Sequence, residues 1–153
     1  MNTTGLYPRP RVDVAPVPAV GQAGGVLLTE TLRVTGLAVE LSRALAPWRK
    51  QFSRHDPGKI FTDLPLMLAV GGDCLADVAS LRAEPDVYGS VASDPTISRL
   101  LTALAADVDA VENAISGARR KARKNAWALA GNQAPMRTQR RRIHWSSTWT
   151  HHW

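Results

Sequence analysis

Arg119, Arg120, Lys121, Arg123 and Lys124 put five cations into six consecutive positions of "ARRKARKNA". Like charges this dense repel one another, and a polyphosphate would neutralise them in contacts that weaken steeply as salt rises. The same run also fits a solvated face late in a helix, where cations favour the negative end of the dipole. A second set of candidates lies in "SDPTISRLLTALAAD". There Thr96, Ser98, Arg99 and Thr102 fall opposite an apolar Ile97/Leu100/Leu104 stripe, and such side chains can reach base edges and phosphates.

Catalytic patterns are missing. "VGQAGG" follows prolines and lacks the lysine of a phosphate-binding loop, and "VGGDC" lacks both the strand and the lysine. His55 in "RHDPGK" reads as a polar turn residue. Cys74 has no His or Asn at a recognisable spacing and reads as a small apolar helix residue. Asp63, Asp73 and Asp77 stand where caps and helix surfaces account for them. The final "HH" has no third ligand beside it, so no metal site is expected.

The candidates must be held by helices. Residues 1–25 carry Pro8, Pro10, Pro16 and Pro18 with four glycines, which predicts an extended arm. From Val26, the spacing of Val34, Leu37, Leu41 and Leu45 predicts one helix that ends before Pro47, with Gly36 weakening it but not breaking it. "FTDLPLMLAVGG" predicts a helix with Leu64, Met67 and Leu68 on one face, either starting near Thr62 or kinked at Pro65. A third helix is expected over about 73–83 with Asp73 as its cap. A fourth, over 94–105, has Asp94 as N-cap and Pro95 as its first residue. A fifth is expected over 107–130.

The predicted fold is mainly α: an arm (1–25), a helical region (26–134) and a basic, Trp-rich tail (135–153). Helices 73–83 and 94–105 have the outline of a helix-turn-helix, whose second helix would present Thr96, Ser98, Arg99 and Thr102 to the major groove. Their connection of about ten residues is longer than the usual three or four, and two packed helices of a bundle fit as well.

Composition agrees with this organisation. The 153 residues are 44% apolar, enough for one domain with a core. A net charge of +6, from 19 Lys and Arg against 13 Asp and Glu, points to a polyanionic partner. The single cysteine excludes an internal disulfide and argues against a structural zinc site. No stretch approaches the roughly 18 apolar residues of a membrane span, and "MNTTGLYPRPRVDVAPVP" lacks a signal-peptide core, so a soluble cytoplasmic protein with no membrane partner is expected.

Four stretches carry a family likeness: "VGQAGGVLLTETLRVTGLAVELSRAL", "HDPGKI", "GGDCLADVASLRAEPDVYGSVASDPTISRLL" and "AWALAG". From Gly5 to about Pro135 the chain resembles the N-terminal region of bacterial, actinobacterial-type insertion-sequence transposases of the DDE type, the group called transposase DDE domain group 1. The resemblance implies that the helical region binds the ends of the element. It also implies a following ribonuclease-H-like α/β domain in full-length members, whose three acidic residues hold Mg2+ for strand cleavage and joining. Implied protein partners are a second copy of the chain or an intact transposase.

Relatives are expected to continue, shortly after the position of Pro135, into a strand similar to "LVIDLDATL" that bears the first catalytic aspartate. This chain reads "MRTQRRRIHWSSTWTHHW" instead. Trp has only the codon TGG, and shifting the frame by one base with GC-rich codons turns "IHWSSTWTHHW" into approximately D-P-L-V-I-D-L-D-A-P-L. The tail is therefore expected to be out of frame and disordered, and the chain to be a fragment without the catalytic domain, inactive in strand transfer. The rival reading is a genuine nucleic-acid tail in which Arg binds phosphate and Trp stacks on bases. As a whole the sequence predicts a transposase fragment that binds terminal-repeat DNA, with a non-catalytic helical interaction protein as the alternative.

Overall fold

The computed structural model describes residues 6–9 and 23–134. Most of the predicted arm, and the whole tail expected to be out of frame, lie outside the described residues. Among the described residues there are seven α-helices and no strand, as a mainly α fold requires.

The first expected helix is two. Helix α1 (Ala23–Thr35) stops at Gly36, whose φ of 72° is left-handed, and α2 (Leu37–Ala44) starts beyond it. Gly36 thus breaks the helix, because a residue without Cβ reaches this conformation at no steric cost. The apolar stripe breaks with it: Val34 is exposed, while Leu41 and Leu45 are buried. The Asn125 amide donates to the Thr35 carbonyl at 3.2 Å and satisfies an acceptor left open at the end of α1.

Helix α3 (Pro57–Ala69) begins more than a turn before Thr62. Its start signal is "DPGK", not the "FTDL" that follows. The Asp56 carboxylate accepts from the Lys59 N–H at 3.0 Å, and Pro57 occupies the first helical position. The helix continues through Pro65, whose missing N–H leaves the Phe61 carbonyl without its helical donor. With this register Leu66 and Met67 are buried while Leu68 is exposed, so the predicted Leu64/Met67/Leu68 face is corrected. Helices α2 and α3 cross in backbone contact at Gly58, where a Cβ would stand 2.3 Å from the Ser42 nitrogen and 2.5 Å from the Leu41 carbonyl carbon. The Ser42 hydroxyl donates to the other Asp56 oxygen at 2.8 Å and holds the crossing.

The expected helix over 73–83 is a 3-10 turn (Leu75–Asp77) followed by α4 (Val78–Arg82). Asp77, not Asp73, provides the cap: its carboxylate accepts the N–H groups of Asp73 and Cys74 at 2.9 and 3.0 Å. These two bonds, aided by the Cys74 side chain, hold the carboxyl at about 2, below the ordinary 3.8. A carboxyl depressed in the folded state contributes stability above its unfolded value and loses it as pH falls through the folded one. The wild-type melting temperature is therefore expected to drop faster between pH 4 and pH 2 than that of Asp77→Asn. Parallel pH profiles of the two proteins would refute this role.

Two short elements complete the path. Helix α5 (Pro85–Tyr88) buries Val87 and Tyr88, and α6 (Asp94–Ala105) follows with Ser93 as N-cap and Pro95 in its second position. The cap is one residue earlier than expected because Asp94 pairs instead with Arg82. Helix α7 (Val108–Ala130) matches its predicted span and packs on α2 through buried Ala118 and Ala122, whose small side chains allow close approach.

Leu45, Val78, Leu81, Tyr88 and Ile97 form the driest part of the core. Tyr7, from the predicted arm, is inserted into the same cluster. Its hydroxyl donates to Asp63 Oδ1 at 3.0 Å, the same oxygen lies 2.5 Å from Lys59 Nζ, and that ammonium stands 4.3 Å from the Tyr7 ring centroid. Burial pushes the Asp63 carboxyl up and the Lys59 ammonium down, more strongly than their pairing restores them. Tyr7→Phe removes a donor from a buried carboxylate whose Oδ2 already has no partner, at an expected cost of about 1–3 kcal/mol in chemical denaturation. An unchanged midpoint would show that the hydroxyl contributes nothing.

Candidate nucleic-acid interface

At 100° per residue, Val111, Ile115, Ala118 and Ala122 form the side of α7 that meets the body of the protein. Arg120, Arg123 and Lys124 fall on the opposite arc, Arg119 flanks the buried side, and all four are exposed. None has a carboxylate partner among the described residues. Lys121 differs, because it turns towards α2 and lies 3.1 Å from Glu40, which also binds Arg43. Trp127 follows on the cationic arc, one turn beyond Arg123, and is 47% exposed.

Ser98, Arg99 and Thr102 of α6 lie opposite Ile97, Leu100 and Leu104, whereas Thr96 flanks that buried stripe. Ser98, Arg99 and Thr102 are exposed and Thr96 is half-buried. Two of the hydroxyls are engaged locally: Thr102 donates to the Ser98 carbonyl at 3.0 Å, and Thr96 lies 3.0 Å from the Ser93 hydroxyl. Arg99 bonds the Pro95 carbonyl through Nε at 2.9 Å, so its terminal nitrogens stay available. Helix α5 interrupts the connection from α4 to α6, so these two are not the consecutive pair of a simple helix-turn-helix.

Thr96 and Arg99 meet residues of the 48–55 segment that the sequence does not mark as part of a site. A cleft of about 280 Å³ is lined by Trp48, Lys50, Arg54, His55 and Leu100 together with these two, and no carboxylate among the described residues lines it. Partial burial and the Arg54 and Lys59 charges lower the His55 pKa, so the imidazole is neutral at pH 7. The α7 cations do not line this cleft. Arg119 instead stands at the rim of an apolar groove of about 320 Å³ between α1, α3 and α7, which Leu32, Phe61, Pro65 and Ile115 help to line.

Asp73, Cys74 and Asp77 bring ligand atoms within 4.8 Å of one another, but Asp77 turns its carboxylate to two backbone N–H groups. That trio is a turn cap and does not fit the divalent ions of strand-transfer chemistry. Cys74 is exposed at the turn and is not the apolar helix residue expected. No described helix is long and apolar enough to cross a membrane.

A family model, transposase DDE domain group 1, matches residues 12–141. The chain belongs to this family. No curated protein and no solved structure matches the chain. The match to the transposase family spans α1 to α7 and implies a transposase-type function and an interaction with DNA. Within this transposase chain, "RKQFSRH" was the site signal missed in the sequence: four basic side chains around one aromatic residue, between Pro47 and Pro57.

Proposed function

We propose that this transposase chain binds the terminal-repeat DNA of an insertion sequence, with α7 gripping the phosphate backbone and α6 reading bases through Thr96, Ser98, Arg99 and Thr102. The observation that carries the reading is the exposed cluster of Arg119, Arg120, Arg123 and Lys124, four cations with no carboxylate partner among the described residues. Folding alone gains nothing from gathering them, whereas a duplex releases counterions when they meet its phosphates. Titration of the purified protein with terminal-repeat and random duplexes at physiological salt tests the proposal. Tighter binding of the terminal repeat supports it, and equal affinity for the two overturns it.

The family match stops at residue 141, which leaves "RIHWSSTWTHHW" outside the family pattern and supports the out-of-frame reading of the tail. The nucleotide sequence over and beyond these codons tests it. An open neighbouring frame with further acidic residues supports the shift, and early stops in that frame overturn it. The apolar groove beside Arg119 favours a second reading, an interaction role within a protein assembly. Salt separates the two readings, since an apolar interface keeps its affinity where phosphate contacts lose theirs.

A further inference from the structure

Phe52 is 95% exposed and has a φ of 61°. It occupies the third position of a tight turn closed by the Ser53 N–H on the Lys50 carbonyl at 3.0 Å, a place that Gly or Asn fills without strain. A bulky residue held in a left-handed conformation, with its ring in solvent, lowers the stability of the fold and points to a role outside it. The turn is also braced. Arg49 donates to the Ser53 carbonyl at 3.3 Å and lies 3.8 Å from Asp56, while the Ser53 hydroxyl donates to the His55 carbonyl at 2.8 Å. The ring is therefore presented on a fixed base, with Lys50 and Arg54 on either side.

The loop that carries Phe52 forms one wall of the cationic cleft, through Lys50, Ser53, Arg54 and His55, and α6 forms another through Thr96 and Arg99. Its volume lies near the lower end of small-ligand sites, about 300–1,000 Å³, and half-buried Trp48 offers an aromatic surface within it. We propose that this loop and cleft form a site for an unpaired DNA nucleotide: Phe52 enters the base stack, and the displaced base is received beside Trp48 with its phosphates held by Lys50, Arg54 and Arg99. The inference rests on the DNA-binding reading and adds to it the state of the DNA recognised, a duplex opened at one position. Apolar side chains inserted at a base step unstack it, and unpaired bases stack on aromatic rings regardless of sequence. An anionic membrane surface is the less suited partner, because the loop offers one exposed ring and no amphipathic apolar face.

The test compares a blunt DNA duplex with the same duplex splayed into unpaired strands at one end, using wild type, Phe52→Ala, Phe52→Trp and Arg54→Gln. Wild type is expected to bind the splayed duplex roughly tenfold more tightly than the blunt one, the scale of a single base–aromatic stack. Phe52→Ala should abolish that preference, Phe52→Trp should keep it, and Arg54→Gln should reduce it, while the blunt duplex stays held through α7. The Phe52 ring is almost wholly in solvent, so its removal leaves the fold intact, and an unchanged melting curve confirms that. Equal wild-type affinity for the two duplexes overturns the inference but leaves duplex binding standing. Binding to neither overturns the DNA-binding reading and the inference with it. Phe52-dependent binding to phosphatidylserine vesicles without a preference for splayed DNA assigns the loop to a membrane surface and also overturns the inference.

Discussion

Gly58→Ala is expected to cost about 3 kcal/mol or more and to lower the melting temperature by about 10 °C. Helices α2 and α3 touch here through their backbones. A Cβ on residue 58 would stand 2.3 Å from the Ser42 nitrogen, 2.4 Å from its Cα and 2.5 Å from the Leu41 carbonyl carbon. Those atoms belong to a helix and cannot rotate away as a side-chain tip can, so the helices must separate. Separation would also strain the Ser42 hydroxyl bond to Asp56 and the burial of Leu41 and Ile60 on either side of the crossing. With a total stability on the order of 5–15 kcal/mol, such a loss takes a large share of the fold. Gly117→Ala is the matched control: a Cβ there meets nothing within 4 Å inside α7, and replacing an interior helical glycine gains about 0.5–1 kcal/mol. Thermal melts followed by far-ultraviolet dichroism should move in opposite directions for the two variants. A Gly58→Ala protein that melts with wild type would mean that the helices are not in backbone contact.

The same crossing shows what the sequence made legible. Helical spacing of apolar residues located most of the helices, because burial of a face imposes a period of 3.6 that can be counted from the chain. It placed α6 over its observed span and α7 to within one residue. The misses share a cause. Gly36 and Gly58 are the same residue type, yet one breaks a helix with a positive φ and the other allows two helices to touch, and only the tertiary partner decides which. "DPGK" was an N-cap and a first-turn proline, but His55 and Pro57 drew it towards a turn, and Asp77 capped backwards onto Asp73 and Cys74. At the site, the α7 cations were visible as a charge run because their density is local. The cleft was not, since residues 48–55 and 96–103 meet across the fold and no spacing connects them.

Removal of the α7 cations gives the other large effect. Arg119, Arg120, Arg123 and Lys124 changed together to Gln should leave the melting curve near that of wild type, because each is exposed and without a carboxylate partner among the described residues. Lys121 is left in place, since its contact with Glu40 ties α7 to α2. Each phosphate contact contributes about 0.9 to the slope of log affinity against log salt, so the quadruple variant should lose about three to four from that slope. At low salt its affinity for a duplex should fall on the order of a hundredfold or more. Phosphate contacts carry no base information, so the loss is expected to be uniform across DNA sequences and to leave the ratio of terminal-repeat to random binding intact. Arg99→Ala should do the reverse, relaxing that ratio with a smaller change in slope, because only one cation is removed and it is the one that reaches from α6. An unchanged slope in the quadruple variant would remove α7 from the interface and leave its charge as a solvated helix face.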